Sequence, residues 1–367
     1  MAERYRNYGI DLLRMLTMLM IVIMHVLGNG GILASEKLSG INCEVAWFLE
    51  IASYCAVNCY AMVTGYVYVN ARYRYSRIFE LWLQVVFYSV LIYLVVIMFI
   101  PGEFDIFIFL QSFLPAMFSQ YWYFTAYFCI FFFIPLFNHI LNTVPKNALK
   151  TAIFSAVIIF SILPCVFGKD IFLTNMGYSP LWCAILYIIG GYIKKYGVLK
   201  NKRKLIVTGI YFACVIATGV LKMIAEITNA DKFGERFISY TSPFILLSAV
   251  ALVVVFSSLS LPKVVKKLIL ILSPCAFGVY LIHVHPMIFK YVLTEDLFAK
   301  FAEYPAVGLF FAVIGTSLGI YFACTFIDMM RFLLFKHIRV RKFVLWFEKK
   351  FLLASGWAMG VCEKALR

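Results

Sequence analysis

What this chain can fold into is set by its apolar runs, which recur from end to end at bilayer-crossing size. About 20 apolar residues at a helical rise span the ~30 Å hydrocarbon core. Hydropathy places about ten such spans, near 8–28, 43–70, 78–100, 121–141, 149–168, 178–194, 205–228, 238–260, 268–292 and 304–334. The chain is 63% hydrophobic and 14% charged, with a mean hydropathy of +0.91. A soluble domain sits nearer half apolar and a quarter charged. The expected fold class is therefore all-α: a polytopic membrane helix bundle of about ten transmembrane helices. Between the third and fourth spans, DIFIFLQSFLPAMF is short and broken by Pro115, which predicts a re-entrant or interfacial piece.

The formal charge of +15 suits a membrane protein with basic cytoplasmic loops, so no nucleic acid partner is expected. With the N-terminus placed in the cytoplasm, the inner segments hold 25 Lys and Arg and the outer segments 6. Arg14 and Lys222, which lie within spans, are counted with neither side. The alternation holds loop by loop and predicts cytoplasmic N- and C-termini. The first apolar segment is full-length and lacks a small-residue cleavage pattern, so no cleavable signal is expected. Residues 1–334 read as one membrane domain. Residues 335–367, basic and carrying Trp346, Phe347, Phe351, Leu352 and Trp357, read as an amphipathic cytoplasmic tail on membrane lipid. The 10 cysteines fall mostly in apolar runs without a CxxC pair, so neither disulfides nor a metal is expected.

The spans carry ionisable groups that lipid tolerates poorly, and such groups mark pathways or sites. The first span holds Asp11, Arg14 and His25. Eleven residues apart, Arg14 and His25 lie within roughly 20° on one helix face and about 16 Å apart along the axis. His283 in the ninth span and Glu50 in the second reach a depth like that of His25, so the three are expected to converge on one outer-half cavity. His285 precedes Pro286 and reads as a helix cap. Arg72, Arg74 and Arg77 follow the second span; they bind phosphate through their guanidinium forks or serve topology alone. Gly65 before Tyr66 permits a close helix contact or a break. Tyr121, Trp122, Tyr123 and Tyr127 read as an interfacial aromatic belt.

Four segments together give this chain a family resemblance: GIDLLRMLTMLMIVIMH, MVTGYVYVNARYRYSR, YWYFTAYFCIFFFIP and FGVYLIHVHPMI. The chain resembles the acyltransferase-3 family of integral-membrane acyltransferases, most specifically in the spacing of Arg14 and His25. It departs from the family's second-span pattern in having Thr64 before Gly65. The sequence carries no esterase-like domain of the kind some members append, so final transfer is expected here or on a partner.

The resemblance implies that 1–334 is an acyltransferase domain in the cell membrane, with the bacterial plasma membrane the expected location. It implies transfer of an acyl group, acetyl in the usual case, from cytoplasmic acyl-CoA to a hydroxyl of a cell-surface or lipid-linked glycan. Acetyl-CoA is then a co-substrate, and no permanently bound cofactor is expected. Arg72, Arg74 and Arg77 would meet the donor phosphates, and Arg14, paired with Asp11, would hold the donor arm. His25 would act as base or acyl carrier, and His283 or Tyr280 would donate to the oxyanion. A secondary transporter or flippase of a polar glycan substrate is the alternative, since buried Glu, His and Arg suit translocation as well.

Overall fold

Proline, glycine and polar caps cut the apolar sequence into helices. A computed structural model describes residues 6–198 and 202–365, and the described residues contain helices and turns but no strand. Arg4, Lys200 and Arg367 of the charge count, with the Trp357 and Lys364 side chains, lie outside what is described.

The first half runs α1 (Tyr8–Leu27), α2 (Gly40–Tyr54), α3 (Ala56–Tyr68), α4 (Ser76–Phe99), α5 (Ile106–Gln111), α6 (Trp122–Phe131) and α7 (Ile134–Thr143). Then come α8 (Lys146–Val157), α9 (Leu163–Phe167), α10 (Pro180–Tyr196), α11 (Lys204–Ile227) and α12 (Asp231–Glu235). The last third is α13 (Pro243–Ser257), α14 (Lys263–Leu272), α15 (Ala276–His283), α16 (Pro286–Tyr291), α17 (Ala306–His337) and α18 (Val340–Ala365).

Local chemistry explains the ends and breaks. Asn7 caps α1 by accepting from the Ile10 amide at 3.1 Å, and Ser179 caps α10 by accepting from the Trp182 amide at 3.2 Å. The Gly197 cap of α10 has φ of 64°, where a side chain would be strained. Pro135 sits at the start of α7, and α6 and α7 meet at 60°; proline removes a donor and crowds the preceding turn. Pro164 lies just after a π-helical turn at 158–162 that joins α8 to α9, a turn in keeping with the missing amide.

Among the described residues, seven helical stretches are long and apolar enough to cross a membrane, or eight with the bent α6–α7 pair taken as one span. α10 and α13, the remaining expected spans, are shorter at 17 and 15 residues. The segment around α5 is a six-residue helix with exposed Phe107, Met117 and Phe118, too short to cross.

Polar contacts between loops define two ends of the bundle. At the end rich in Lys and Arg, Arg6 donates to Ser273 at 3.0 Å, and Lys195 donates to the Leu141 carbonyl at 2.6 Å. At the opposite end, Lys37 pairs with Glu303 at 2.6 Å and Lys290 with Glu103 at 2.8 Å.

Helix α1 is the hub, packed against α2, α3, α13, α15 and α17. Gly65 resolves as a close helix contact. A Cβ there would lie 1.9 Å from the Tyr187 carbonyl oxygen, and one on Gly190 would lie 1.9 Å from that of Met62. These two glycines bring α3 and α10 together backbone to backbone, as small residues do in membranes. Tyr60 and Thr64 of α3 are thereby fixed beside α1.

Candidate active site

Two histidines meet at the heart of the bundle. His25, nearly five turns along α1 by the helical repeat, brings Nδ1 to 2.9 Å from Nε2 of His283 at the end of α15. His283 Nδ1 in turn lies 2.6 Å from the Val279 carbonyl oxygen. A carbonyl only accepts, so with both rings neutral Nδ1 of His283 carries the proton and its Nε2 is a bare acceptor. His25 must then donate from Nδ1, which leaves the lone pair on its Nε2 uncommitted. The tautomer follows from the geometry alone. His283 is 1% exposed, so water does not compete for the bond.

His25 lines a small cavity of about 30 Å³, with Tyr60, Trp122, Tyr123, Tyr240, Phe277 and Tyr280. The Tyr280 hydroxyl accepts from the Tyr123 amide at 3.4 Å, and its own proton remains to be donated. Toward the basic end, Tyr60, Tyr123 and Phe277 also wall a second cavity of about 260 Å³. This one holds Arg14 and Arg77, with Thr64, Tyr68, Gln84 and Tyr127. A third cavity of about 670 Å³ shares Tyr68, Arg77, Leu81, Gln84 and Pro274 with the second. The three form a tapering series from the basic end to His25.

Each expected site residue now has a place. Arg14 is in the second cavity, and its buried Nε meets no hydrogen-bond partner among the described residues. The expected pairing with Asp11 is present as a long ion pair, Arg14 Nη1 to Asp11 Oδ1 at 4.0 Å, while Arg6 holds Asp11 Oδ2 at 2.6 Å. Asp11 thus links Arg6, in the chain entering α1, to Arg14, which also lines the second cavity. The three loop arginines separate. Arg77 lines the second and third cavities with its guanidinium 4.7 Å over Tyr68, whereas Arg72 and Arg74 are exposed on the surface turn and line neither.

Glu50 does not meet the histidines. It is 8% exposed and lies within electrostatic reach of Tyr54 and Tyr240, with Oε2 unpartnered among the described residues. Tyr240 lines the His25 cavity, and Glu50 does not. Trp122, Tyr178 and Tyr240 cluster there, with ring centroids 4.6 Å apart for Trp122–Tyr178 and 4.9 Å for Tyr178–Tyr240. His285 caps α16, accepting from the Met287 amide at 3.1 Å.

The aromatic-belt expectation is also corrected. Tyr121 and Tyr123 are buried, Tyr121 donates to the Leu281 carbonyl at 3.1 Å, and Tyr123 and Tyr127 wall the Arg14 cavity. Their i, i+4 spacing puts both on one face of α6. The same spacing in Tyr60 and Thr64 was the available signal for the facing wall.

A family model described as an acyltransferase domain matches residues 7–327, most of the chain. The chain belongs to the acyltransferase-3 family. It is accordingly an enzyme, a multi-pass membrane acyltransferase, and the matched segment contains both histidines, Arg14 and Arg77. No curated protein and no solved structure matches it.

Proposed function

We propose that this acyltransferase takes an acyl group, acetyl in the first instance, from acyl-CoA at the basic, cytoplasmic end. It passes the group to a hydroxyl of a cell-surface or lipid-linked glycan that approaches His25 from the opposite end, in the plasma membrane of a bacterium. The observation that carries this reading is the uncommitted Nε2 of His25 at the narrow end of a cavity series whose wider part holds Arg14 and Arg77.

The acceptor hydroxyl gives its proton to His25 Nε2 while its oxygen attacks the thioester carbonyl. The C–O bond forms, the C–S bond breaks, and the departing thiolate takes the proton back from His25. His283 receives the Nδ1–H bond throughout, holding the ring in the productive tautomer as the imidazolium forms. His283 is thus a positioning residue, since its Nε2 is engaged by His25. Tyr280 is left as the donor to the oxyanion. Arg14 holds the donor arm in the second cavity. The cluster of Trp122, Tyr178 and Tyr240 offers ring faces to a sugar on the acceptor side.

The family match favours this reading over a transporter or flippase. Exchange of the acyl group distinguishes them: purified protein should transfer label from acetyl-CoA to a glycan acceptor. Translocation of the glycan without label transfer would overturn the reading.

A further inference from the structure

One buried acid stands apart from the others. Asp11, Glu226 and Asp328 each sit with a cation. Among the described residues no cation pairs with Glu50, and its Oε2 meets no hydrogen-bond donor. Glu50 lies well inside α2, about 15 Å along the axis from its start, and is buried. A buried carboxyl without a partner costs stability and calls for a reason.

Its surroundings are aromatic. The rings of Tyr54, one helical turn on from Glu50, and Tyr240 have centroids 5.0 Å apart. Trp122 stacks on Tyr240 at 6.0 Å, and both line the His25 cavity. A run of touching rings thus leads from beside Glu50 to the cavity wall. Local structure holds this run in place. Asn58 donates to the Tyr240 carbonyl at 2.7 Å and accepts from the Trp182 indole at 3.1 Å. Gly177, with φ of 101°, passes so close that a Cβ would lie 2.5 Å from that of Tyr240. The next residue, Tyr178, is thereby set against Tyr240. At 41% exposed it is the most open ring of the cluster.

We infer that Glu50 is a specificity-determining residue for the acceptor. Its carboxyl binds a hydroxyl of the acceptor sugar other than the one that reacts, and the sugar ring lies against Tyr240 and Trp122 in the place Tyr178 gives up. Aromatic faces and a carboxyl together suit a polyol: the rings cover its C–H faces, and the carboxyl binds its hydroxyls. The ligand supplies the bond that Oε2 lacks, so a group that costs stability is kept for binding. The inference rests on the acceptor reading above.

Transfer rates of the full-length protein in nanodiscs test it, with acetyl-CoA and the detergent-extracted membrane glycan of the producing cells, titrated by hexose content, each varied in turn. Glu50→Met should raise the acceptor KM about tenfold, the loss of one hydrogen bond to a carboxyl, and leave the KM for acetyl-CoA unchanged. Its melting temperature in detergent should equal or exceed that of the wild type, because an apolar side chain of similar volume replaces an unpartnered acid. A residue kept for structure would show the reverse. An acceptor KM unchanged in Glu50→Met, an equal rise in both KM values, or a melting temperature lowered in both Glu50→Met and the isosteric Glu50→Gln would overturn the inference. Failure of the wild type to label any glycan would sink the acceptor reading itself, and the inference with it.

Discussion

At the scale of single residues, the site turns on which nitrogen holds which proton. The Val279 carbonyl fixes His283, and His283 fixes His25. His283→Ala should therefore lower kcat by about 10–100-fold, the usual effect of removing a group that orients another, and leave the donor KM unchanged. A KM effect instead would mean that His283 touches the donor. Arg14→Lys should raise the KM for acetyl-CoA although charge is kept, because the planar fork is lost; an unaltered KM would assign Arg14 to structure. The shared face of Arg14 and His25 was legible from helical period alone. The closer partner of Asp11 was not, because Arg6 lies just before α1, outside the apolar run.

At the scale of elements, backbone contact between α3 and α10 anchors the helix that gives Tyr60, Thr64 and Tyr68 to the Arg14 cavity. Gly65→Ala would place a methyl 1.9 Å from the Tyr187 carbonyl oxygen. It should cost about 1–3 kcal/mol, as overpacking does, read as a lower melting temperature in detergent. An unchanged melting temperature would show that the pair yields without strain. The glycine announced a close approach or a break, and only its partner Gly190 decides between them. The α6–α7 bend was likewise present in Pro135, but hydropathy reads through it as one span. Aromatic residues at a span's edge look alike whether they face lipid or a cavity; Tyr123 and Tyr127 are separated from a belt only by what α1 and α3 place opposite them.

At the scale of the whole molecule, a buried network ties α17 to α4 and α15. Asp328 accepts from Tyr88 at 2.8 Å and from Gln84 at 3.2 Å, as well as from Arg331. Gly278 leaves room for its carboxylate, since a Cβ there would lie 2.1 Å from Asp328 Cγ. Asp328→Ala leaves Arg331 buried and unpaired, a loss of about 3–5 kcal/mol, and should sharply reduce the folded yield on membrane extraction. Restored yield in Asp328→Ala/Arg331→Met would confirm that the unpaired charge is the cause; no restoration would point to the Tyr88 and Gln84 bonds. Hydropathy and the basic loops foretold a helical bundle with two distinct ends. The cavity series was hidden, because its walls combine residues from α1, α3, α4, α6 and α15, far apart in sequence.

The central claim is that His25, held by His283, performs the transfer. Its most direct test is label transfer from radiolabelled acetyl-CoA in membranes carrying wild-type or His25→Ala protein at matched folded levels. The account predicts label on a surface or lipid-linked glycan with the wild type and a fall of about 10²–10⁴-fold in the variant, the span of general-base catalysis. Undiminished transfer by His25→Ala would contradict it.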